Sequence, residues 1–291
     1  MSAAPILVTG ATGRLGRLVV ERLTAAGQLA RVFTRRPDVA LKLFGPAVQI
    51  AIGEFADPVS LATAMRGVER LLLLSPISPA LAADQLFVVK AASIAGLGRI
   101  VKISGSDWTI DPPGSSISGE AHAIVERHLR GLAMEHVSLR PNAWMQVSLA
   151  NTIRQVLDGK PVFTGNPDAG IGYIDARDIA DVAVHQLSAE AVVNEVLNLT
   201  GPAVVTPRRV AGLLSEILNR QVPVIQKLPP ATAYDEFEHR AVAQFATLIA
   251  AGRAAATTDT VATLLGHAPR SVEAFISEQL ASKAALAGSS P

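Results

Sequence analysis

No cysteine occurs in the 291 residues, which removes disulfides, thiolate nucleophiles and cysteine-held metals from consideration. A zinc site would have to rest on histidine and carboxylates. The six histidines, at 122, 128, 136, 185, 239 and 267, fall at no ligand spacing, so no metal is expected. Charge of one sign is also lacking: 26 Lys+Arg against 25 Asp+Glu leave +1. With no long basic run, nucleic acid and acidic membrane surfaces are not expected partners. No apolar stretch approaches the roughly 18 residues that mark a membrane span, and residues 1–5 lack the charged start and apolar core of a signal peptide. The expectation is a cytoplasmic protein, monomer or homodimer. Aromatics are scarce, 4% of the chain with two tryptophans and two tyrosines, so where they fall is informative.

What the chain does have begins at its N-terminus. Residues 5–16 read Pro-Ile-Leu-Val-Thr-Gly-Ala-Thr-Gly-Arg-Leu-Gly: a short apolar run, a turn, and the start of a helix. Three glycines alone mark only a flexible turn, but between a strand and a helix they predict a dinucleotide grip. Gly10 permits the tight turn, Gly13 admits a pyrophosphate to backbone N–H groups, and Gly16 lets the helix pack close to the sheet. Thr12, Arg14 and Leu15 complete the expected cofactor loop. The helix runs from Arg14 to Ala26 and stops at Gly27, and 29–34 supplies a second strand, closing a βαβ unit. At the tip of that strand a protein preferring NAD places an acid for the ribose 2′-hydroxyl. Here Arg35 and Arg36 stand there, and a guanidinium fork suits a 2′-phosphate. NADP(H) is therefore the expected cofactor, with the alternative left open that one arginine is a solvated loop residue before Pro37.

Apolar runs at 48–52, 70–74, 99–103 and 137–140 alternate with helical stretches at 58–66, 80–95 and 118–130. That alternation predicts a doubly wound parallel α/β sheet of Rossmann type, with residues 1–156 as the nucleotide-binding domain. Beyond Pro141 the rhythm changes to a helix over 145–157, a Gly-rich loop over 165–172 and helices that finish the chain. Residues 157–291 are read as a smaller substrate lobe, with 176–200 returning to the main sheet and 287–291 as a frayed tail.

Ligands of open α/β sheets bind at the carboxyl ends of the strands. This singles out Thr9, Arg35, Phe55, Ser75 with Pro76, Ser104 and Asn142. Ser104 is the hydroxyl candidate for holding a substrate oxygen, or else a turn hydroxyl beside Gly105. Trp108 and Trp144 fall just beyond strand ends, which points to a planar apolar substrate, although Trp144 also suits a helix–sheet staple. Met145, Phe163 and either Tyr234 or Phe237 are further candidate walls.

Seven blocks now stand in order: Thr9 to Gly16, Gly53 to Asp57, Val101-Lys102-Ile103-Ser104, His122 to Leu129, Ser138 to Asn142, Tyr173 to Asp181, and Leu199 to Pro202. In this order the chain resembles the NmrA-like, atypical short-chain dehydrogenase/reductase family to about Leu280. The resemblance implies an NADP-binding Rossmann domain with Glu54 and Phe55 against the adenine and Arg140-Pro141-Asn142 bordering the nicotinamide. It also implies relatives that reduce quinones, azo compounds or isoflavone-type substrates, and one that senses redox state. The better-known members carry a Tyr-x-x-x-Lys pair that passes a proton to the substrate. This helix has His122 and Glu126 at that spacing. Either Glu126 holds His122 as an imidazolium general acid, or Glu126 pairs with Arg130 or Arg140 and His122 is a pocket wall. The leading expectation is an NADPH-dependent reductase of a planar aromatic or quinone-like small molecule. A nucleotide-sensing regulator and a non-redox isomerase or cyclase are the alternatives that fold does not exclude.

Overall fold

The computed structural model describes residues 4–227 and 236–288, with side chains through 283; Tyr234 lies outside the described residues. In chain order the elements are β1 (Ile6–Val8), α1 (Arg14–Ala25), β2 (Ala30–Thr34), α2 (Pro37–Phe44), β3 (Val48–Ile52), α3 (Pro58–Ala64), β4 (Arg70–Leu73), α4 (Leu81–Ile94), β5 (Arg99–Ile103), α5 (Asp107–Ile110), α6 (Ile117–Arg130) and β6 (Glu135–Pro141). They continue with α7 (Ser148–Leu157), β7 (Val162–Thr164), α8 (Ala176–Ser188), β8 (Glu195–Leu199), α9 (Pro207–Leu218), β9 (Val224–Gln226), α10 (Phe237–Ala250), α11 (Thr260–Leu265) and α12 (Val272–Gly288).

Seven strands form one sheet in the order β3-β2-β1-β4-β5-β6-β8, with the pairs from β3 through β6 parallel. The order reverses between β1 and β4, which makes the carboxyl ends of those two strands the place where such sheets bind ligands. Contacts gather the chain into two units interleaved in sequence rather than dividing at one point. Unit 1 holds residues through 105, 117–140 and 179–197; unit 2 holds 106–116, 141–178 and 198 onward.

Unit 1 is the sheet with its covering helices. Its central strands are apolar on both faces because helices cover both, and Leu7, Leu71, Leu73 and Ile100 are fully buried with Val88, Val125 and Leu129 of α4 and α6. Helix α1 lays Leu15, Val19, Val20 and Leu23 on one face toward the sheet. Two arginines at the amino ends of β4 and β5 hold the carboxyl end of α8. Arg70 donates to Leu187 O at 2.8 Å, and the buried Arg99 donates to Gln186 O at 2.9 Å and Ala189 O at 2.7 Å. Cations there satisfy orphan carbonyls and the negative end of the helix dipole.

Unit 2 has its own core of Met145, Leu149, Ile153, Val210, Leu214, Phe275 and Ile276. A two-stranded parallel sheet, β7 with β9, lies here and had no counterpart in the sequence reading. The helix expected from 145 begins at Ser148, because Trp144 bridges Ile174 in β fashion and Met145 N donates to Ile174 O at 2.9 Å. Asp175, wholly buried, accepts from Arg177 N at 2.8 Å and from the Arg177 guanidinium at 2.7 Å. Asp178 takes the backbone N–H of Arg270 at 2.8 Å and pairs with its guanidinium. No described helix is long and apolar enough to cross a membrane.

Candidate active site

The glycine loop is built as its sequence requires. Gly10 adopts φ +63°, and a Cβ there would meet Leu74 O at 2.8 Å. A Cβ on Gly16 would lie 2.3 Å from Gly10 O and 2.7 Å from Ala11 Cα, so α1 can approach the loop only with glycine at this position. A Cβ on Gly13 would meet nothing but Gly10 O, at 3.2 Å, leaving its outer side open. Gly13 is also the N-cap of α1 and offers no capping side chain. The first turn of α1 thus presents backbone N–H groups and the positive dipole end at an exposed glycine, which fits an anion such as a pyrophosphate. Thr9 ties the loop to β4: its Oγ1 accepts from Leu74 N at 2.8 Å and donates to Leu74 O at 2.9 Å. Leu15 is 2% exposed, so only its backbone belongs to the loop surface.

At the tip of β2, Arg35 and Arg36 are both exposed. Arg36 folds back on the loop, its Nη2 reaching Thr12 Oγ1 at 3.4 Å. Arg14 is exposed on the first helical residue. Three guanidinium groups therefore belong to the loop and the β2 tip, with no acid at residues 35 or 36. Glu54 is exposed, and Phe55 stacks on Phe33 with ring centroids 6.0 Å apart. Ser75 Oγ accepts from the buried Gln85 Nε2 at 2.9 Å, and Pro76 is exposed.

Under the carboxyl end of β5 lies a buried polar cluster. Lys102 is 0% exposed; its Nζ stands 2.8 Å from His122 Nδ1 and 3.0 Å from Ser104 Oγ. Ser104 Oγ in turn donates to Glu126 Oε1 at 2.6 Å. Arg140 grips the same carboxylate with two donors, Nη2 to Oε2 at 2.6 Å and Nε to Oε1 at 3.1 Å. Strand alternation puts Lys102 and Ser104 on one face of β5, and the i, i+4 spacing puts His122 and Glu126 on one face of α6.

The electrostatics follow from burial and neighbours. Burial lowers Lys102 to about 7, the Glu126 charge opposing this and the Arg140 charge adding to it. Burial also lowers His122 well below its ordinary value, and the Lys102 and Arg140 charges push the same way. Burial alone would raise Glu126, but hydrogen bonds from Arg140 and Ser104 with the charges of Arg140 and Lys102 outweigh it and leave the carboxyl below its usual range. Glu126 is thus an anion committed to Arg140 and Ser104. The expectation that Glu126 keeps His122 as an imidazolium is corrected: the imidazole faces a cation, not the carboxylate, and stays neutral. Of the two pairings open for Glu126 as a structural partner, Arg140 is the one formed.

Ser104 and His122 belong to unit 1; the other expected substrate residues and Asn142 belong to unit 2. Trp108 is buried, its indole Nε1 donating to Asn142 Oδ1 at 2.6 Å and its ring meeting Phe245 edge-on at 5.8 Å. Asn142 Oδ1 also accepts from Ala143 N at 2.7 Å, and its Nδ2 donates to Ala254 O at 3.0 Å. Asn142, expected at the cofactor, and Trp108, expected at the substrate, thus have their side-chain polar atoms engaged within unit 2. Met145 is wholly buried in the same core, Trp144 is half-buried, and Phe163 on β7 is 44% exposed. The residue that the sequence reading missed is Lys102. It was visible only as a cation between Val101 and Ile103 in the middle of a strand.

A family model described as NAD(P)H-binding matches residues 10–190. A (4-alkanoyl-5-oxo-2,5-dihydrofuran-3-yl)methyl phosphate reductase from Streptomyces griseus is 32% identical over 219 residues, 74% of each chain. An NAD(P)H azoreductase from Xenophilus azovorans is 28% identical over 217 residues, 75% of each chain. The solved structure of an Escherichia coli NADPH-dependent quinone oxidoreductase with NADPH superposes with a TM-score of 0.82 at 24% identity, covering 94% of this chain and 99% of that one. From the glycine loop through the strands that follow it, this chain belongs to the NAD(P)H-binding family and has the fold of the NmrA-like, atypical short-chain dehydrogenase/reductases.

Proposed function

We propose that this protein is an NADPH-dependent reductase of a planar aromatic or quinone-like small molecule. The observation that carries the cofactor is the pairing of an open glycine loop with the exposed Arg35 and Arg36, Arg36 already resting on Thr12. Backbone N–H groups of residues 14–16 would hold the pyrophosphate, and the β2-tip arginines a 2′-phosphate, where an acid would have repelled it. The relatives named for azo, quinone and phosphorylated furanone substrates support reductase chemistry on a flat conjugated acceptor. When bound, the reduced nicotinamide supplies a hydride; the protein supplies position and, at His122, a proton. Ser104 acts on the same cluster by orienting Lys102.

Two measurements test this. Tryptophan-fluorescence titration should show NADPH binding at least tenfold more tightly than NADH, about 1.4 kcal/mol, with the preference abolished in Arg35→Asp. NADPH absorbance should fall with a naphthoquinone or an azo dye and show a deuterium isotope effect at nicotinamide C4. Equal nucleotide affinities refute the arginine argument. NADPH binding without consumption across quinones, azo dyes and enones refutes the reductase reading and favours the sensor.

A further inference from the structure

We infer that Lys102 is the proton store for His122: Nζ refills the imidazole at Nδ1 while Nε2 delivers a proton to the reduced acceptor. This rests on the reductase reading above and adds to it a proton path that the sequence reading lacked. A lysine in the middle of a parallel strand, between Val101 and Ile103 and fully buried, carries a desolvation cost in its charged form. Two partners lie at good hydrogen-bond distance, Ser104 Oγ at 3.0 Å and His122 Nδ1 at 2.8 Å, with Ile103 O further off at 3.4 Å.

The chain of donors fixes the direction. Glu126 takes the Ser104 hydroxyl proton, so Ser104 Oγ accepts from Nζ and aims it. An ammonium at Nζ can only donate to His122 Nδ1, which puts the imidazole's own proton on Nε2. Among the described residues Nε2 forms no hydrogen bond, and His122 keeps 7% exposure, so Nε2 is the outlet of the relay. The titratable and charged groups around Nζ are the neutral His122 and the Glu126 carboxylate from α6 and Arg140 from β6; the paired residue on β4 is the apolar Leu73. These keep both protonation states of Lys102 within reach near neutral pH.

The transfer balances. The His122 Nε2–H bond breaks as an O–H or N–H bond forms on the acceptor, which has taken two electrons as hydride from the reduced nicotinamide. One Lys102 Nζ–H bond breaks as Nδ1–H forms. His122 ends neutral with its proton on Nδ1 and Lys102 ends as an amine; a solvent proton taken up at Nε2, with the Nδ1 proton passing back to the buried Nζ, resets both before the next turnover. No electron moves within the relay. Azo acceptors, whose reduced nitrogen is strongly basic, need this proton more than quinones do.

The test has an arm that needs no turnover. Nitrogen-15 NMR of the nucleotide-free protein should show His122 as the Nε2–H tautomer below about pH 7, where Lys102 is an ammonium, and Lys102→Met should mix the tautomers. A dominant Nδ1–H tautomer in the parent overturns the relay. With an azo acceptor, the parent rate should fall as pH rises through about 7, and Lys102→Met and His122→Phe should each lower kcat at pH 6 by roughly 100-fold. Both should lose the pH limb, and the double variant should be no slower than the slower single one, as groups acting in series require. Additive losses with the parent's pH limb intact in both variants overturn the relay while leaving the reductase reading in place, provided the parent consumes NADPH. No turnover by the parent with any acceptor overturns both.

Discussion

Lys102→Met should make this protein more stable at pH 6, and the gain should shrink in alkali. A fall from 10.5 to about 7 for the native ammonium, at about 1.4 kcal/mol per pH unit, corresponds to about 5 kcal/mol. Because the native value lies below the unfolded one, the unfolded chain holds the extra proton between them. Stability of the parent therefore rises with pH from about 7 toward 10.5, and below 7 the penalty is complete. Methionine matches the length of the stem and carries no charge. Its cost is the donor lost to His122 Nδ1 and Ser104 Oγ, about 1–3 kcal/mol. The variant is expected to exceed the parent by about 2–4 kcal/mol at pH 6, with the difference falling by about 3 kcal/mol by pH 9.5. Urea denaturation of both proteins at the two pH values measures it, since titrating groups not coupled to Lys102 cancel in the difference. A stability difference that stays the same at both pH values, or a parent more stable at pH 6, would refute the burial argument.

Gly16→Ala sets a helix-propensity gain of about 1 kcal/mol against a Cβ placed 2.3 Å from a backbone oxygen that cannot swing aside. Net loss of stability within the range of about 1–3 kcal/mol for overpacking is expected, with NADPH affinity down at least tenfold; thermal melts and fluorescence titration check it, and unchanged affinity contradicts the close-approach reading. Arg140→Met leaves the Glu126 carboxylate buried with only Ser104 and Lys102 beside it, which should cost about 3–5 kcal/mol at pH 7. The native carboxyl lies below its unfolded value of 4.5, so its contribution is present above that pH and is lost as pH falls through the native value. Denaturation at pH 7 and pH 4 should show the gap between parent and variant narrowing in acid, and an equal gap would mean that Glu126 does not depend on Arg140.

The sequence by itself determined the β1–loop–α1 grip, since the positive φ of Gly10 and the space for a Cβ at Gly16 are local properties that only glycine meets. The mainly apolar runs at 48–52 and 99–103 likewise match the observed bounds of β3 and β5, because Gly45-Pro46 and Gly53 bound the first and Gly98 and Gly105 the second. The short helix α2 escaped notice because a proline following two arginines reads as a loop. The weak strands β7 and β9 escaped it too, since three residues carry no usable alternation.

Tertiary structure alone decided what the polar residues do. Helical spacing offered Arg130 to Glu126 as readily as Arg140, but the register that sets Lys102 beside Ser138 brings Arg140, two residues further along β6, to the carboxylate. Lys102 and His122 are 20 residues apart, and Trp108 and Asn142 are 34 apart. Such pairings are set by which strands are neighbours and which helix covers them. Protonation was still less legible: His122 is neutral and Lys102 poised near 7 only because the packed sheet and α6 exclude water around them. Desolvation belongs to the assembled core, and no residue carries it in its own sequence neighbourhood.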